Sequence, residues 1–379
     1  MKRGKKVAKP GKLAACAVLL AGGRGTRFWP RSRLRTPKQL LDILGSKTVR
    51  SHTMVRDTLA RLSPVFSAKN AWIVTNTEQW PAVRRELPEI ARSRILAEPA
   101  GVNTAAAIAL AAIHLVHQHG DALMAVLPSD SYIADAAGYR KLVQAALELA
   151  RTPGNLVVIG ISPTQPETGY GYIERGAKAG RVGGVTAYSV RRFTEKPSRA
   201  DAQKYVASGK YLWNAGMFFW RVSTFLDNLE RYVPATFASL QELAKTIGTR
   251  KYPSALASIY PKLENISVDY AIMEPATRAA KNHVSVIPAS VGWSDIGSWS
   301  AVYDLLTKTH GTNLAAADCF THDAEGNYFH SHKFVAAIGV NNLVLVETDD
   351  AILICPRDRS QDVSKIVKWL EQEKRVRLL

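Results

Sequence analysis

The chain has 379 residues, 46% of them hydrophobic, and its 50 lysines and arginines against 32 acidic residues give a formal net charge of +18. This length and apolar content suffice for one large core with a smaller unit beside it, which excludes a disordered or fibrous protein. Cys16, Cys319 and Cys355 are too few and too far apart for a disulfide framework or a metal cluster, and such usage is typical of a reducing compartment. No apolar run reaches the ~18 residues of a membrane helix, so we expect no membrane span.

The N-terminal segment 1–12 contains six lysines and arginines together with glycine and proline. This composition predicts a disordered, solvated basic tail, and the alternative is a tether to nucleic acid or to an anionic membrane. The tail precedes an apolar run, as in a signal peptide, but the apolar residues continue beyond Cys16 into the first predicted strand. Because cleavage there would cut that strand, we expect no signal peptide and a cytoplasmic protein.

An uninterrupted run of small and apolar residues from Ala14 to Ala21 predicts a buried strand of a parallel sheet. The strand leads into a glycine loop, in which residues without a Cβ let the backbone turn sharply and approach a ligand. Three cations lie in or near this loop. The glycines are Gly22, Gly23 and Gly25, and the cations are Arg24, Arg27 and Lys38. Glycines with converging cations indicate a polyphosphate site.

Two widespread phosphate loops do not match this segment. A dinucleotide loop needs a third glycine at the position of Phe28, and the nucleoside-triphosphatase loop needs G-K-[ST] after its second glycine.

Apolar segments alternate with amphipathic segments through the first 160 residues. The predicted strands cover 71–75, 94–97, 122–127 and 155–160, and the predicted helices cover 48–62, 104–119 and 139–150. This alternation predicts a parallel sheet with crossover helices. Ligands bind such sheets beyond the carboxyl ends of the strands, so functional residues are expected just after each strand.

Two predicted strands are followed by polar residues. Asp130 follows 122–127, where a carboxylate facing the glycine loop is a candidate magnesium ligand, and the alternative is an aspartate that caps a helix or a turn. Glu98 follows 94–97, and Asn103 is placed to cap the helix that Thr104 begins.

The glycine loop resembles the signature of the sugar nucleotidyltransferases, G-G-x-G-x-R-x-x-P followed by P-K. Within that superfamily, the segments 29–33 (W-P-R-S-R) and 37–41 (P-K-Q-L-L) are similar to those of the mannose-1-phosphate guanylyltransferases. The motif fixes about ten positions, which makes it far more specific than a short glycine motif. The resemblance covers residues 13–370 and implies an α/β fold, with a Rossmann-like mixed sheet and a short C-terminal left-handed β-helix-like unit.

Two central segments resemble sugar-binding motifs of that family: R-F-T-E-K-P at 192–197 and L-W-N-A-G-M-F at 212–218. They are preceded by E-T-G-Y-G-Y-I at 167–173, which has two glycines and two tyrosines. Tyrosines beside flexible backbone suit a sugar face, although a hairpin is the plain alternative for 167–173. The segment W-S-D-I-G-S-W at 293–299 follows a predicted strand at 283–287 and resembles a family motif that carries the second metal ligand. Asp269 also matches a family pattern, or else it only caps a helix.

The resemblance implies a site with three parts. Catalysis is assigned to Arg27, Lys38, Asp130 and Asp295, and the two aspartates are also the ligands of Mg²⁺, with Mn²⁺ as a possible substitute. The nucleotide-binding residues are Leu20, Ala21, Gly22, Gly23, Gly25, Thr26, Glu98, Asn103, Thr104 and Ser129. The sugar-phosphate-binding residues are Gly171, Glu195, Lys196 and Asn214. Val102 and Ala106 stand where the family more often has arginine and proline.

The C-terminal part has short β-like runs at 334–340, 343–347 and 351–355, which the resemblance implies are β-helix coils. A final helix is predicted over 363–373, with its apolar residues on one face. Residues 222–282 are expected to be mainly helical. We therefore expect a catalytic domain at 13–306 and a β-helix-like domain at 307–379.

The resemblance implies that GTP and α-D-mannose 1-phosphate give GDP-mannose and pyrophosphate. Longer family members append a cupin-like isomerase domain and this chain ends before it, so we expect transferase activity only. One alternative is the same chemistry on another sugar 1-phosphate or nucleotide, and another is a non-catalytic relative that binds GDP-mannose as a regulator. Retention of Arg27, Lys38, Asp130 and Asp295 favours the enzyme. We also expect a homodimer that binds no nucleic acid.

Overall fold

The computed structural model describes residues 13–44, 52–279, 283–307, 309, 311–316 and 318–379. The predicted basic tail at 1–12 and the first residues of the predicted helix at 48–62 lie outside the described residues. Within that part of the chain, no helix combines the length and the apolar character needed to cross a bilayer.

A nine-stranded sheet forms the centre of the molecule. The strands up to residue 294, in chain order, are β1 Ala14–Leu20, β2 Ala71–Asn76, β3 Ile95–Glu98, β4 Ala122–Pro128, β5 Tyr132–Ile133, β6 Leu156–Ile161, β7 Gly171–Val182, β8 Val185–Glu195, β9 Tyr211–Arg221, β10 Val284–Ala289 and β11 Trp293–Ser294. The sheet order is β3-β2-β1-β4-β9-β6-β10-β8-β7, and β5 pairs separately with β11.

The sheet is parallel over β3, β2, β1 and β4, as the alternating pattern predicted. Strand β9 runs antiparallel between β4 and β6, and the hairpin of β7 and β8 continues the sheet beyond β10. The sheet is therefore mixed, which confirms the fold class that the family resemblance implied.

Helices cover both faces of this sheet, and two further helices follow its last strand in the chain. The helices are α1 Met54–Leu62, α2 Trp80–Glu86, α3 Asn103–His119, α4 Ala136–Ala150, α5 Arg199–Ser208, α6 Val222–Tyr232, α7 Pro234–Ala244, α8 Tyr252–Ile259, α9 Glu274–Arg278, α10 Trp299–Leu306 and α11 Val363–Gln372. The expectation of a mainly helical segment after 222 is confirmed for the described residues.

The sequence of strand β1 is apolar throughout, without alternating polar residues, because the strand packs against a core on each face of the sheet. Cys16 and Val18 belong to the core that contains α3 and α6, whereas Ala17 and Leu19 belong to the core that contains α1 and α4. Since both faces of the strand are covered, its four central residues, Cys16 to Leu19, are fully buried and the residues at its ends are partly buried.

Three helix starts differ from the sequence prediction, and side-chain capping explains two of them. Helix α1 begins at Met54 because Thr53 Oγ1 accepts a hydrogen bond from the Arg56 amide (3.4 Å). Helix α4 begins at Ala136, before the predicted 139, because Asp135 Oδ1 accepts one from the Gly138 amide (2.8 Å).

The third difference is at Asn103, for which the predicted capping role is wrong. Val102 is the N-cap of α3, and Asn103 is already its first residue. Asn103 has a φ of 71°, and its Oδ1 accepts from the adjacent Thr104 amide (2.9 Å). This local hydrogen bond suits asparagine, which tolerates the left-handed region better than most residues.

The C-terminal part consists of short strands that stack in parallel. They are β12 Leu314–Ala315, β13 Cys319–His322, β14 Tyr328–His330, β15 Val335–Ile338, β16 Leu343–Glu347 and β17 Ile352–Pro356. Strands β12, β14 and β16 form one parallel stack, β13 and β15 form another, and β17 closes the first stack antiparallel to β16. Parallel pairing of successive coils is the arrangement of a β-helix, which confirms the implied C-terminal fold.

This C-terminal unit shares an apolar core with the residues that follow the glycine loop. Phe28 and Trp29 lie in one buried cluster with Trp299 of α10 and with Val367 and Leu370 of α11. The Phe28 and Trp299 rings meet edge to face at a centroid distance of 5.0 Å. The final helix therefore packs directly beneath the loop.

Candidate active site

Buried amide side chains hold the carbonyl groups of the glycine loop. Gln39 Nε2 donates to the carbonyls of Ala21 (2.7 Å) and Gly23 (3.0 Å), and Gln79 Nε2 also donates to Gly23 (3.3 Å). Both glutamines are at most 2% exposed. Because these carbonyl oxygens accept hydrogen bonds from protein side chains, their partial negative charge is not directed at an anion bound to the loop. Gln79 was not predicted as a site residue.

Two serine hydroxyls continue this support on either side of the loop. Ser129 Oγ donates to the Leu20 carbonyl (2.7 Å), and Ser32 Oγ donates to the Gly25 carbonyl (2.7 Å). Ser129 is only 1% exposed. Of the residues predicted to bind nucleotide, Leu20, Ala21 and Ser129 thus support the loop from behind.

Because Gly25 has no Cβ, the Lys38 side chain can pack directly against the glycine loop. Gly25 has a φ of 62°, and a Cβ built there would lie 2.4 Å from Lys38 Cβ, so any larger residue would displace the lysine. The Lys38 side chain is nearly buried, and its Nζ donates to Asp130 Oδ2 (3.0 Å) and to the carbonyl oxygen of Asp295 (2.6 Å). Three of the predicted catalytic residues are therefore in direct contact.

A two-residue ladder brings the two aspartates together. Strand β5 pairs antiparallel with β11, with Tyr132 opposite Ser294. Asp130 precedes β5 and Asp295 directly follows β11, so the ladder places the two positions beside each other at the carboxyl end of β4.

Tyr170 fixes the carboxylate of Asp295. Its hydroxyl donates to Asp295 Oδ1 (2.7 Å), and its ring contacts Trp213 and Trp293 edge to face at centroid distances of 5.1 and 5.8 Å. Burial, together with the adjacent Asp295 charge, raises the pKa of Tyr170, so the hydroxyl keeps its proton and remains a donor. The sequence marked this tyrosine only as a candidate for the sugar face.

The four residues predicted to be catalytic line a cleft of about 1100 Å³. Of the predicted site residues, those that line it are Gly25, Arg27, Lys38, Asp130, Gly171, Glu195, Lys196, Asn214 and Asp295. Those that lie outside its lining are Leu20, Ala21, Gly22, Gly23, Thr26, Glu98, Asn103, Thr104 and Ser129. The cleft therefore joins the predicted catalytic residues to the predicted sugar-phosphate residues.

Glu195 presents an unpartnered oxygen within this cleft. Its Oε2 is buried and has no hydrogen-bond partner among the described residues, and a Cβ built on Gly171 would lie 2.4 Å from it. Burial raises the pKa of Glu195 to about 7; the nearby Asp269 carboxylate adds to the rise and Lys196 opposes it. A buried acceptor without a donor is what a hydroxyl-bearing ligand would satisfy.

Asp269 holds Asn214 beside this carboxyl group. Asn214 Nδ2 donates to Asp269 Oδ1 (2.8 Å), and Asn214 Oδ1 accepts from the Gly216 amide (2.9 Å). Asp269 begins a π-helical turn, Asp269–Met273, whose N-cap is Val268. Because the Asp269 carboxylate accepts from Asn214, the alternative that it only caps a helix is wrong.

The segment from Glu98 to Thr104 lies behind the loop. Glu98 Oε1 accepts from the Tyr260 hydroxyl (2.6 Å), and burial raises the pKa of Glu98 to about 7, opposed by that hydrogen bond. Its Oε2 faces Gly22, on which a Cβ would lie 3.0 Å away. Thr104 Oγ1 accepts from the Val268 amide (2.9 Å), which ties this segment to the turn that carries Asp269.

The C-terminal unit forms part of the cleft wall, which the sequence did not reveal. Arg357 and Gln361, from the 3₁₀ turn Arg357–Asp362, line the cleft. Gln361 Oε1 accepts from Arg27 Nη1 (2.7 Å), although the two residues are 334 positions apart. No local pattern near Gln361 signals a contact of this kind.

The donor atoms at Asp130 and Asp295 suit a hard divalent cation. Carboxylate oxygens are the ligands that Mg²⁺ prefers, and it completes its shell with water and phosphate oxygens. Among the described residues no group of three or more histidine, cysteine or acidic side chains is placed to hold a metal. A cation at these aspartates would thus depend on substrate oxygens.

Residues 16–311 match the Nucleotidyl transferase family, and residues 323–370 match the MannoseP isomerase/GMP-like beta-helix domain. The Xanthan biosynthesis protein XanB of Xanthomonas campestris pv. campestris (strain B100) is 39% identical over 361 residues, which cover 93% of this chain and 73% of that protein. The mannose-1-phosphate guanylyltransferase of Klebsiella pneumoniae is 39% identical over 362 residues, which cover 94% of this chain and 74% of that protein.

A crystal structure from Thermus thermophilus, described as a mannose-1-phosphate geranyltransferase, has a TM-score of 0.81 and 32% sequence identity to this chain. The alignment covers 95% of this chain and 100% of that one.

Proposed function

The chain belongs to the nucleotidyl transferase family and, within it, to the mannose-1-phosphate guanylyltransferases, and on that premise we propose that it transfers GMP from GTP to α-D-mannose 1-phosphate. The products are GDP-mannose and pyrophosphate. The observation that carries the proposal is the cleft, which brings Arg27, Lys38 and two aspartates into one space with the unpartnered carboxyl oxygen of Glu195.

In the proposed reaction, a phosphate oxygen of mannose 1-phosphate bonds to the α-phosphorus of GTP. The bond from that phosphorus to the oxygen bridging to the β-phosphate breaks, and this oxygen leaves with pyrophosphate. The sugar phosphate is ionised at neutral pH, so neither a general base nor a covalent enzyme intermediate is required. Catalysis then consists of in-line positioning and of neutralising charge on the phosphates.

We assign Lys38 to the charge that develops at the α-phosphate and Arg27 to the leaving pyrophosphate. Lys38 is already oriented by its two hydrogen bonds, so little reorganisation is needed as the charge develops. Asp130 and Asp295 would hold Mg²⁺, or Mn²⁺ in its place, and a cation bound there adds positive charge beside the phosphates.

We assign the sugar phosphate to Glu195, Asn214 and Lys196. Glu195 Oε2 is free to accept from a sugar hydroxyl, and Asn214 is held in place by Asp269. The Lys196 ammonium is largely exposed, with its Nζ 3.9 Å from Glu195 Oε1, and is able to reach a phosphate. The nucleotide is assigned to the glycine loop and to the Glu98–Thr104 segment behind it.

Pyrophosphate release by the purified protein, measured across nucleotide and sugar-phosphate pairs, tests this function. GTP with mannose 1-phosphate is expected to give the highest kcat/KM. Higher efficiency with dTTP and glucose 1-phosphate would contradict the assignment. Light scattering after size-exclusion chromatography tests the predicted homodimer.

Gly171→Ala is expected to raise the KM for mannose 1-phosphate several-fold, up to about tenfold, because loss of one hydrogen bond to a charged group costs about 1.5 kcal/mol. The added methyl group would displace Glu195 Oε2, which lies 2.4 Å from the position of that Cβ. The KM for GTP should stay within about twofold, since the change is remote from the glycine loop.

Initial rates with each substrate varied in turn measure both constants. Gly183→Asn, at the exposed turn between β7 and β8, serves as the control, because a Cβ there meets nothing within 4 Å and asparagine tolerates its φ of 56°. An unchanged KM for mannose 1-phosphate in Gly171→Ala would remove Glu195 from the sugar site.

A further inference from the structure

Both arginines of the glycine loop contact the C-terminal unit, but through chemically different partners. Arg27 Nη1 donates to the amide oxygen of Gln361 (2.7 Å), whereas Arg24 Nη1 is paired with the carboxylate of Glu371 (2.6 Å). Gln361 lies in the 3₁₀ turn that precedes α11, and Glu371 lies near the end of α11.

The two partners affect charge differently. A carboxylate offsets the positive charge of Arg24, whereas a neutral amide oxygen orients Arg27 and leaves its charge available. Arg27 and Gln361 both line the cleft, and Arg24 and Glu371 do not. Arg27 therefore lines the cleft with its charge not offset by Gln361, whereas Arg24 lies outside the lining and is paired with a carboxylate.

The turn that carries Gln361 is itself well supported. The Arg357 amide donates to the Asn342 carbonyl (2.7 Å), and the Arg357 guanidinium stacks on the Tyr303 ring at 3.8 Å. Ser360 is 1% exposed, and α11 is anchored by the core it shares with Phe28 and Trp29. Gln361 thus projects from a rigid base, which is what a positioning residue needs.

We propose that Gln361 is a positioning residue for Arg27, through which the C-terminal unit sets the charge that the cleft offers to pyrophosphate. This inference rests on the proposed nucleotidyl transfer for its catalytic meaning. Its structural basis is the contact between a neutral side-chain acceptor and the one loop arginine that lines the cleft.

Two substitutions of Gln361 separate its effect on the orientation of Arg27 from an effect on the charge of Arg27. Gln361→Met keeps the length and removes the acceptor, and Gln361→Glu keeps the shape and adds a carboxylate that offsets Arg27. We expect a rise of about three- to tenfold in the KM for GTP and a lower kcat in both, with the larger effect for Gln361→Glu. The KM for mannose 1-phosphate should stay within about twofold, because its predicted residues lie on other elements.

Gln372→Glu is the matched control, since it adds the same charge at an exposed position of α11 outside the cleft lining. Thermal unfolding of all variants shows whether the fold is kept. A purely structural role for Gln361 would lower the melting temperature and leave both Michaelis constants unchanged, which would overturn the proposal. Equal effects of Gln372→Glu and Gln361→Glu would overturn it as well.

Calorimetric titration with inorganic pyrophosphate tests the inference independently of the reaction. Weaker binding by Gln361→Met and Gln361→Glu, with unchanged binding by Gln372→Glu, supports it even if GTP and mannose 1-phosphate prove not to be the substrates. Failure of the substrate screen would then count against the proposed function alone. Wild-type affinity for pyrophosphate in both Gln361 variants would overturn the inference.

Discussion

Lys38→Ala should lower kcat by about 10²–10³-fold, the usual cost of removing one oriented charge contact made chiefly in the transition state. The ammonium lies between the Asp130 carboxylate and the Asp295 carbonyl and donates to both, so its position is fixed before the substrates bind. The loss should appear in kcat more than in the KM for either substrate, since the charge it stabilises develops during transfer.

Steady-state kinetics with both substrates, beside circular dichroism and thermal unfolding, measures this effect. Lys141→Ala is the control, because Lys141 is exposed on α4, remote from the cleft lining. The substitution leaves both aspartates in place, so raised Mg²⁺ is expected to recover little of the rate. A near-normal kcat in a folded Lys38→Ala enzyme would show that this buried cation has only a structural role.

Asp130→Asn and Asp295→Asn should each lower kcat by at least about tenfold, since one contact to a charged group contributes about 1.5–3 kcal/mol. Each change keeps the shape of the side chain and removes a negative charge. Asp295 should be the more sensitive, because its asparagine would also weaken the hydrogen bond from Tyr170.

Metal titration of turnover in the two single mutants and the double mutant measures the effect. We expect activity to require Mg²⁺ or Mn²⁺ and raised metal to rescue each single mutant only in part. Mn²⁺ binding in the presence of GTP, followed by electron paramagnetic resonance, provides a readout that does not need turnover. Asp227→Asn, on the exposed face of α6, is the control. Full activity of Asp295→Asn, or wild-type turnover in excess EDTA, would refute a site made of two carboxylates.

The elements close to the glycine loop could be predicted because their sequence pattern is local. The apolar run at Ala14–Leu20 is buried on both faces of the sheet, and burial on both faces is what produces an unbroken run. The helix starts were less accurate, because a single capping side chain such as Asp135 moves a boundary by several residues.

The proximity of Asp130 and Asp295 could be predicted because both follow strands, but the pairing that brings them together could not. It depends on the pairing of β5 with β11, each only two residues long, and such short strands leave no periodicity to detect. The role of Tyr170 was also not predictable. The tyrosines and glycines of its segment suggested a sugar-binding face, whereas its hydroxyl donates to Asp295. Gln79 and Gln361 also had no signal, because their partners are fixed only by tertiary packing.

The core that Phe28 and Trp29 share with α11 has a consequence for synthesis of the protein. A chain emerging from the ribosome can form its early strands first, as N-terminal parts generally do. The packing beneath the glycine loop, however, needs Val367 and Leu370, which are translated long after Phe28 and Trp29. A nascent chain lacking them would leave Phe28 and Trp29 exposed to water and to other chains. The apolar packing beneath the loop is therefore complete only after α11 has been synthesised.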